Sequence, residues 1–568
     1  MKTSSWLLTL TALGACLSIV SNSHAANTWK NAPDGTFAWD GFNWDSPLSW
    51  VDGDDAIFGP AGIGAITLGI PVIAHNLTFN SPGYSIVGST LTLDGAIPTI
   101  TANEDVTIAT RLLGTNGLRI LGSSNVTLIG TPGVGGNQYT GGTHVVSGTV
   151  ILQVSNLVNG TTYAIDSIEA LDTGATVKYF NGISYTATTN NLRVPEGQLP
   201  INANTKLNLT GGTFDLNGDD NQNRQPYPTG FGTILNSSEN SRAVLKMTGF
   251  GTTNIFFGQI MDGGPATNAL VPGKVAHRTE IDLATGSGGM LVLAGSNSFS
   301  GFVRIGNGGT IKLQGAGTLG YAATINCPGR HMIHNNGLVD LNGTSQSVGQ
   351  YGAGSGATIA NNALGTTSIL TVCLNYTNTA LQTCSAAIKD NTTGTGGIVG
   401  LTKVGTAPQG LNGINTYSGD TTVSSGLLTI TALSGISSNS TYRLSTTGGT
   451  LDLNYAGTAD VKAIIIDGVA KPNGVYGSST APITGSGFIR VSNNRFLITQ
   501  VVKNPNFDQL TITWDSLPGL TYTVQYSTDL GATWFTQDGG SNVPSQGNST
   551  TFDINFSESG FIYRVFKQ

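Results

Sequence analysis

The stretch NQYTGGTHVVSGTVILQ, Asn137 to Gln153, is written twice more in the chain. It returns as NSFSGFVRIGNGGTIKLQ from Asn297 and as NTYSGDTTVSSGLLTI from Asn415. A second phrase follows each copy downstream, as GGTFDLNG from Gly211, NGLVDLNG from Asn336 and GGTLDLNY from Gly448. Such self-similarity marks a chain that stacks one supersecondary unit on the next, each unit packing only on its neighbours. Between the copies the text alternates apolar and polar residues in short runs broken by Gly, Asn or Ser-Gly, as in SIVGSTLTLDGAIPTI from Ser85 and DVTIATRLLGTNGLRILGSSNVTLIG from Asp105. Period-two alternation over four to six residues is the pattern of a half-buried strand.

Composition agrees, since 568 residues hold 79 glycines and only 10% charged side chains. Gly and Asn serve corners that need positive φ, while Val, Ile, Thr and aromatic residues fit a pleated surface. Within the recurring phrase, the Asn is expected to turn in the left-handed region, the aromatic to pack inward and the Gly to open the next strand. In DLN, Leu216, Leu341 and Leu453 are expected in the core, flanked by outward Asp and Asn. At roughly 22 residues per coil, the region from Ile57 to Val491 gives about 20 coils and a rod on the order of 95 Å, taking about 4.8 Å between strands.

The repeats resemble the autotransporter-associated β-strand repeat proteins, and the third copy carries the likeness best. There Leu401-Thr402-Lys403-Val404-Gly405 leads to Asn415-Thr416-Tyr417-Ser418-Gly419 and then to Gly426-Leu427-Leu428. The phrase F-x-G-x-I-x-D-G from Phe256 to Gly263, and the opening set Trp39, Asn43, Trp44 and Phe58, belong to the same resemblance. It implies an all-β protein, a right-handed parallel β-helix, in a secreted or cell-surface bacterial protein with no catalytic residues to carry over. The irregular repeat spacing implies looped-out insertions, and the tail Phe566-Lys567-Gln568 is not the terminal membrane barrel of a self-translocating autotransporter.

Four segments are expected. Residues 1–26 read as a signal peptide, with Lys2, an apolar run from Trp6 to Val20 and Ser23-His24-Ala25 as the small-x-small cleavage signal. Leu13-Gly14-Ala15-Cys16 also resembles a lipobox, which would make Cys16 a lipid anchor. Residues 27–56 hold four of the seven tryptophans and read either as an aromatic cap over the open end of the stack or as a sugar-stacking platform. Residues 57–494 form the β-helix. Residues 495–568 read as a small β-sandwich resembling a fibronectin type III module, with Trp514, Tyr522, Val524, Tyr526, Tyr563 and Val565 packing between two sheets and a final strand missing.

No cofactor or metal site is expected. Asp52, Asp54 and Asp55 read as solvated turn acids rather than calcium ligands. Asp215-x-Asn217-x-Asp219 starts like a calcium loop but continues with Asp220 and Pro226 where Gly and an acid are needed. Gly315-x-Gly317-x-x-Gly320 is not followed by a helix, so it is no phosphate loop. His331 and His334, three apart on a strand, face opposite ways and make a poor chelate. Cys327, Cys373 and Cys384 are an odd set; Cys373 and Cys384 either pair across strands or sit as small buried hydrophobes.

Two functions remain. A net charge of -7 without a basic patch excludes nucleic acid as a natural partner, and no apolar run beyond the leader is long enough to span a bilayer. The first function is structural or adhesive, binding an extracellular glycan or cell-surface component through a repetitive face. The alternative is a carbohydrate-active enzyme, a lyase or hydrolase. Its best cluster is Arg278, Glu280 and Asp282 on one strand face, with Lys274 and His277 nearby; a charged strand edge that resists aggregation explains the same residues.

Overall fold

A computed structural model describes residues 24–30, 37–45, 49–130, 137–154, 164–165, 167–180, 206–218, 224–239, 242–248, 253–264, 278–283, 289–306, 308–320, 332–374, 379–492, 498–504, 509–517, 519–529, 532–547, 549–555 and 562–567. The leader with Cys16, and Asp219, Asp220, Lys274, His277, Cys327 and His331, lie outside them.

Strands of two to ten residues make up nearly all of the described secondary structure, with one 3-10 turn at Leu433–Gly435. The chain visits three parallel ladders in rotation. Asp55–Phe58, Leu77–Phe79, Thr99–Ala102, Leu118–Gly122 and Thr143–Val145 stack in the first. Ala65–Leu68, Tyr84–Gly88, Val106–Ile108, Asn125–Gly130 and Thr149–Val154 form the second. Val72–Ala74, Thr90–Leu93, Arg111–Gly114 and Gln138–Tyr139 form the third. This is a parallel β-helix. Leu77, Ile100, Ile120 and Val145 are direct register partners, so successive turns take 23, 20 and 25 residues (77 to 100, 100 to 120, 120 to 145). Because one residue of slip would turn every apolar side chain to solvent, the alternation fixes this register.

One continuous core runs from Trp29 to Val491. A second core, holding Ile512, Trp514, Tyr522, Val524, Val543, Ile554 and Val565, fills the space between two antiparallel sheets, the small sandwich. One sheet pairs Ile498–Lys503, Gln509–Asp515 and Ser549–Asn555. The other sets Phe535–Thr536, Val543–Pro544 and Ile562–Lys567 against Thr521–Ser527. The Trp514 ring meets the edge of the Tyr522 ring at 5.7 Å, and the Tyr522 hydroxyl accepts the Leu517 amide at 2.6 Å.

At the first coil, the described part of the aromatic segment bonds to the first strand of each ladder. Residues 43–45 bond to residues 28–30, through Lys30 N–H to the Asn43 carbonyl and Asp45 N–H to the Thr28 carbonyl. Phe37 and Trp39 exchange bonds with Thr67 of the second ladder, and Gly53 N–H donates to the Ile73 carbonyl in the third. Trp29, Trp39 and Trp44 are buried against Phe58, which removes their faces from any sugar-stacking role. The three nearby acids work in the same covering: the Asp52 carboxylate accepts the Ile73 amide, Asp54 accepts from the Asn27 side chain, and Asp55 accepts the Asn76 amide.

The recurring phrase has a different logic from the one its sequence suggests. Asn137, Asn297 and Asn415 are buried and none has positive φ. Each is a clamp between coils. Their Oδ1 atoms accept the amides of Leu112, Ile260 and Ile388 one coil before, and their Nδ2 atoms donate to the carbonyls of Ala164, Thr318 and Gly435 one coil after. The following Gly is required by close approach: a Cβ on Gly301 would lie 2.1 Å from the Thr279 carbonyl oxygen, and on Gly419 2.4 Å from that of Val399. The aromatic is buried, and its hydroxyl meets the Thr four residues later, Tyr139 with Thr143 at 2.6 Å and Tyr417 with Thr421 at 2.7 Å. The middle copy has Phe299 and Val303 instead, so both polar partners are absent together and neither is left unsatisfied.

In DLN the leucines are buried as expected, but Asp215 and Asp340 are buried too, rather than outward. Each carboxylate accepts its own Asn amide and one from the next coil, Ser237 for Asp215 and Asn362 for Asp340. The left-handed positions are Asn217 and Asn342, at φ 42° and 44°, each followed by a left-handed Gly. The third copy has Tyr455 in place of that Gly, and there Asn454 is exposed and Asp452 only half-buried.

Candidate functional site

On the first ladder, two outward columns run along several coils. Register places Arg119 beside His144 and His144 beside Ala170, Asn208 beside Thr229, and Thr210 beside Phe231. Phe257 follows directly on the Gly230–Phe256 rung, its amide bonded to the Gly230 carbonyl. Segments from successive coils, far apart in sequence, thus form a single face.

The charged part of this face depends on a bulge. Pairing slips between Thr143 and His144 against Ile168–Leu171, so that two consecutive residues, Glu169 and Ala170, leave the core while Ile168 and Leu171 stay in it. Glu169 takes the Lys206 ammonium at 2.7 Å, and its backbone carbonyl accepts from Asn208. One step on, Asp172 bonds the His144 Nε2 at 2.7 Å and the Thr210 hydroxyl at 2.6 Å. The Thr210 hydroxyl, then His144, then the positive charge of Arg119 hold the Asp172 carboxyl below the usual aspartate range. The side chains of His144 and Asp172 are 42% and 35% exposed. Beyond them, Phe231 is 57% and Phe257 56% exposed, with Ile255 at the margin. The arrangement offers hydroxyl, amide and charged groups at one end and two aromatic rings at the other.

The cluster expected from sequence is assembled but closed. Arg278 and Glu280 come together, and Asp282 stands in register between Lys246 and Arg304. Glu280 is 1% exposed inside a ring of three guanidiniums, Arg242 at 3.4 Å, Arg278 at 3.7 Å and Arg304 at 4.0 Å. The Arg278 guanidinium also lies 4.9 Å over the Phe302 ring. A carboxylate so enclosed has no open side for a substrate; it ties coils together. The reach of these partners, from residue 242 to 304, is why the sequence window around Gly273 did not reveal them.

Asp215, the first acid of the calcium-like series, is taken up by Asn217, Ser237 and Lys178. Among the described residues no cluster of His, Cys, Asp or Glu could hold a metal ion. His334 is buried against the Tyr351 hydroxyl, and burial pushes its pKa down to about 4. Cys373 and Cys384 are unbridged and buried, with burial pushing their thiols up to about 11 and about 12. Lys403 of the lead-in is buried as well, its ammonium donating to the carbonyls of Val404, Gly405 and Ser425.

Comparison with known proteins finds one stretch of kinship. Over 113 residues, 19% of this chain, the sequence is 41% identical to the adhesin BmaC autotransporter of Brucella suis biovar 1 (strain 1330). The matched part is 3% of that protein's length. No family model matches the chain, and no solved structure does. No helix among the described residues is long and apolar enough to cross a membrane.

Proposed function

We propose that this protein is an exported, surface-associated adhesive β-helix that holds extracellular glycan or cell-surface material along its flank. The observation that carries the reading is the contrast on that flank: the acid cluster best suited to catalysis is sealed by arginines, whereas the face from Arg119 to Phe257 is open over successive coils. A stack binds through many weak contacts in register, which together give residence without a deep pocket. The likeness to a segment of an adhesin supports the same role. In this reading residues 1–26 direct export, Cys16 is available for lipid attachment if cleavage occurs before it, residues 27–56 cap the stack, and the fibronectin type III-like sandwich at 495–568 is an appended module.

The test is retention of the purified mature protein on insoluble polysaccharides and on whole bacterial cells, with the supernatant assayed for reducing ends and unsaturated sugars. Retention without released products is expected. Released products would replace this reading with the enzyme, and absence of retention on every surface would remove adhesion.

A further inference from the structure

The geometry points to a polysaccharide site on the first-ladder face, with the glycan lying along the axis of the stack, its ring faces on Phe231 and Phe257 and its hydroxyls on the polar groups between Arg119 and Thr229. This rests on the adhesive reading and gives it a location and a ligand class.

The two phenylalanines stand on adjacent coils of one ladder, and adjacent parallel strands are about 4.8 Å apart. One glycan chain running with the axis therefore passes both aromatics. Both rings are more than half exposed, although aromatic residues elsewhere in the β-helix core, such as Phe58, Phe79, Phe214, Phe256 and Phe299, are wholly buried. Beside them the face presents groups that sugars require, which a purely apolar protein-docking patch lacks. Thr210 and Thr229 supply hydroxyls, and Asn208 supplies an amide anchored on the Glu169 carbonyl. The acids and bases are matched in place, Glu169 with Lys206 and Asp172 with His144. A matched face of this kind has no surplus charge to draw an anionic membrane, whereas hydroxyls can insert into its hydrogen bonds. The bulge at Glu169 widens the polar end, because it turns two consecutive residues outward where one is normal.

The experiment compares the full chain with Phe231→Ala/Phe257→Ala on microcrystalline cellulose, chitin and calcium alginate beads. Phe42→Ala, at a residue 69% exposed in the cap, is the control. Far-UV circular dichroism and the melting temperature confirm that each variant is folded. The double variant is expected to lose binding at least tenfold on whichever support retains the parent, with Phe42→Ala unchanged. Because the face is charge-matched, retention on the preferred support should change little with ionic strength, and binding abolished by salt would overturn the site as a ring-and-hydroxyl surface. Undiminished retention of the double variant overturns this site and leaves the adhesive reading standing. Failure of the parent on all polysaccharides, with retention on whole cells, overturns the glycan class but not adhesion. Conversion of an oligomeric parent into a monomer by the double substitution, with polysaccharide binding unchanged, reassigns the face to self-association.

Discussion

Two charged clusters lie on the same solenoid, and they differ in what surrounds them. Around Glu280 the partners Arg242, Arg278 and Arg304 converge on one carboxylate that has lost almost all contact with water. Around Asp172 the partners His144, Thr210 and Arg119 leave the carboxylate about a third exposed. Only the cluster around Glu280 reads as a charged strand in the sequence, and charge alone does not distinguish a tie from a binding face. Burial does, since buried ion pairs are costly to break while exposed ones contribute little. The sharpest way to break the comparison is Glu280→Gln. It removes the anion from among three cations, one of them, Arg278, only 6% exposed, and should destabilise the protein by about 3 kcal/mol or more. Urea unfolding would show this as a lower midpoint at unchanged slope, and a change under about 1 kcal/mol would place Glu280 with the exposed pairs.

A buried histidine sharpens the same contrast through pH. His334 is enclosed with Tyr351, and its pKa of about 4 follows from burial, which disfavours the imidazolium. An unfolded histidine titrates near 6.5, so between about 6.5 and about 4 the unfolded chain binds the extra proton. Stability is therefore fully present above the unfolded value and is lost as pH falls towards the folded one. The depression of about 2.5 units corresponds to a loss of roughly 3 kcal/mol across that window. Melting temperatures from pH 7.5 to 4 should fall less steeply in His334→Gln than in the parent. Equal slopes would mean that the imidazole is not held neutral.

How much of this could be read beforehand follows from the range of each interaction. Alternation and repetition are local, so the strands, the stack and the burial of Leu216, Leu341 and Leu453 were legible, as was the sandwich core around Trp514 and Tyr522. The role of the clamp asparagines was misread, because Asn is common at left-handed corners while its partners here, Ile388 and Gly435 for Asn415, lie on other coils. The left-handed residue was one phrase away, in DLN, where the Gly after Asn217 and Asn342 is the local sign. The acids of DLN look outward by period two, but the chain turns at that point and draws them in. The face from Arg119 to Phe257 left no local sign at all. Its members are 20 to 40 residues apart, the bulge at Glu169 is not visible in alternation, and Phe231 and Phe257 resemble any other strand aromatics until register sets them side by side.

The smallest expected effect is on the open side. Asp172→Asn keeps an oxygen that can accept from Thr210 but removes the charge that pairs with His144, and exposed pairs of this kind contribute about 1 kcal/mol at most. The variant should therefore melt within a few degrees of the parent. If the face binds sugars through the polar groups that Asp172 orients, retention on the preferred polysaccharide should nevertheless fall several-fold. That separation, a binding change without a stability change, is the reverse of what Glu280→Gln should produce. A large loss of stability in Asp172→Asn would mean that the hydrogen bonds to His144 and Thr210 hold the coils together, which would make this cluster a second tie, and the distinction between the two regions would then rest on Phe231 and Phe257 alone.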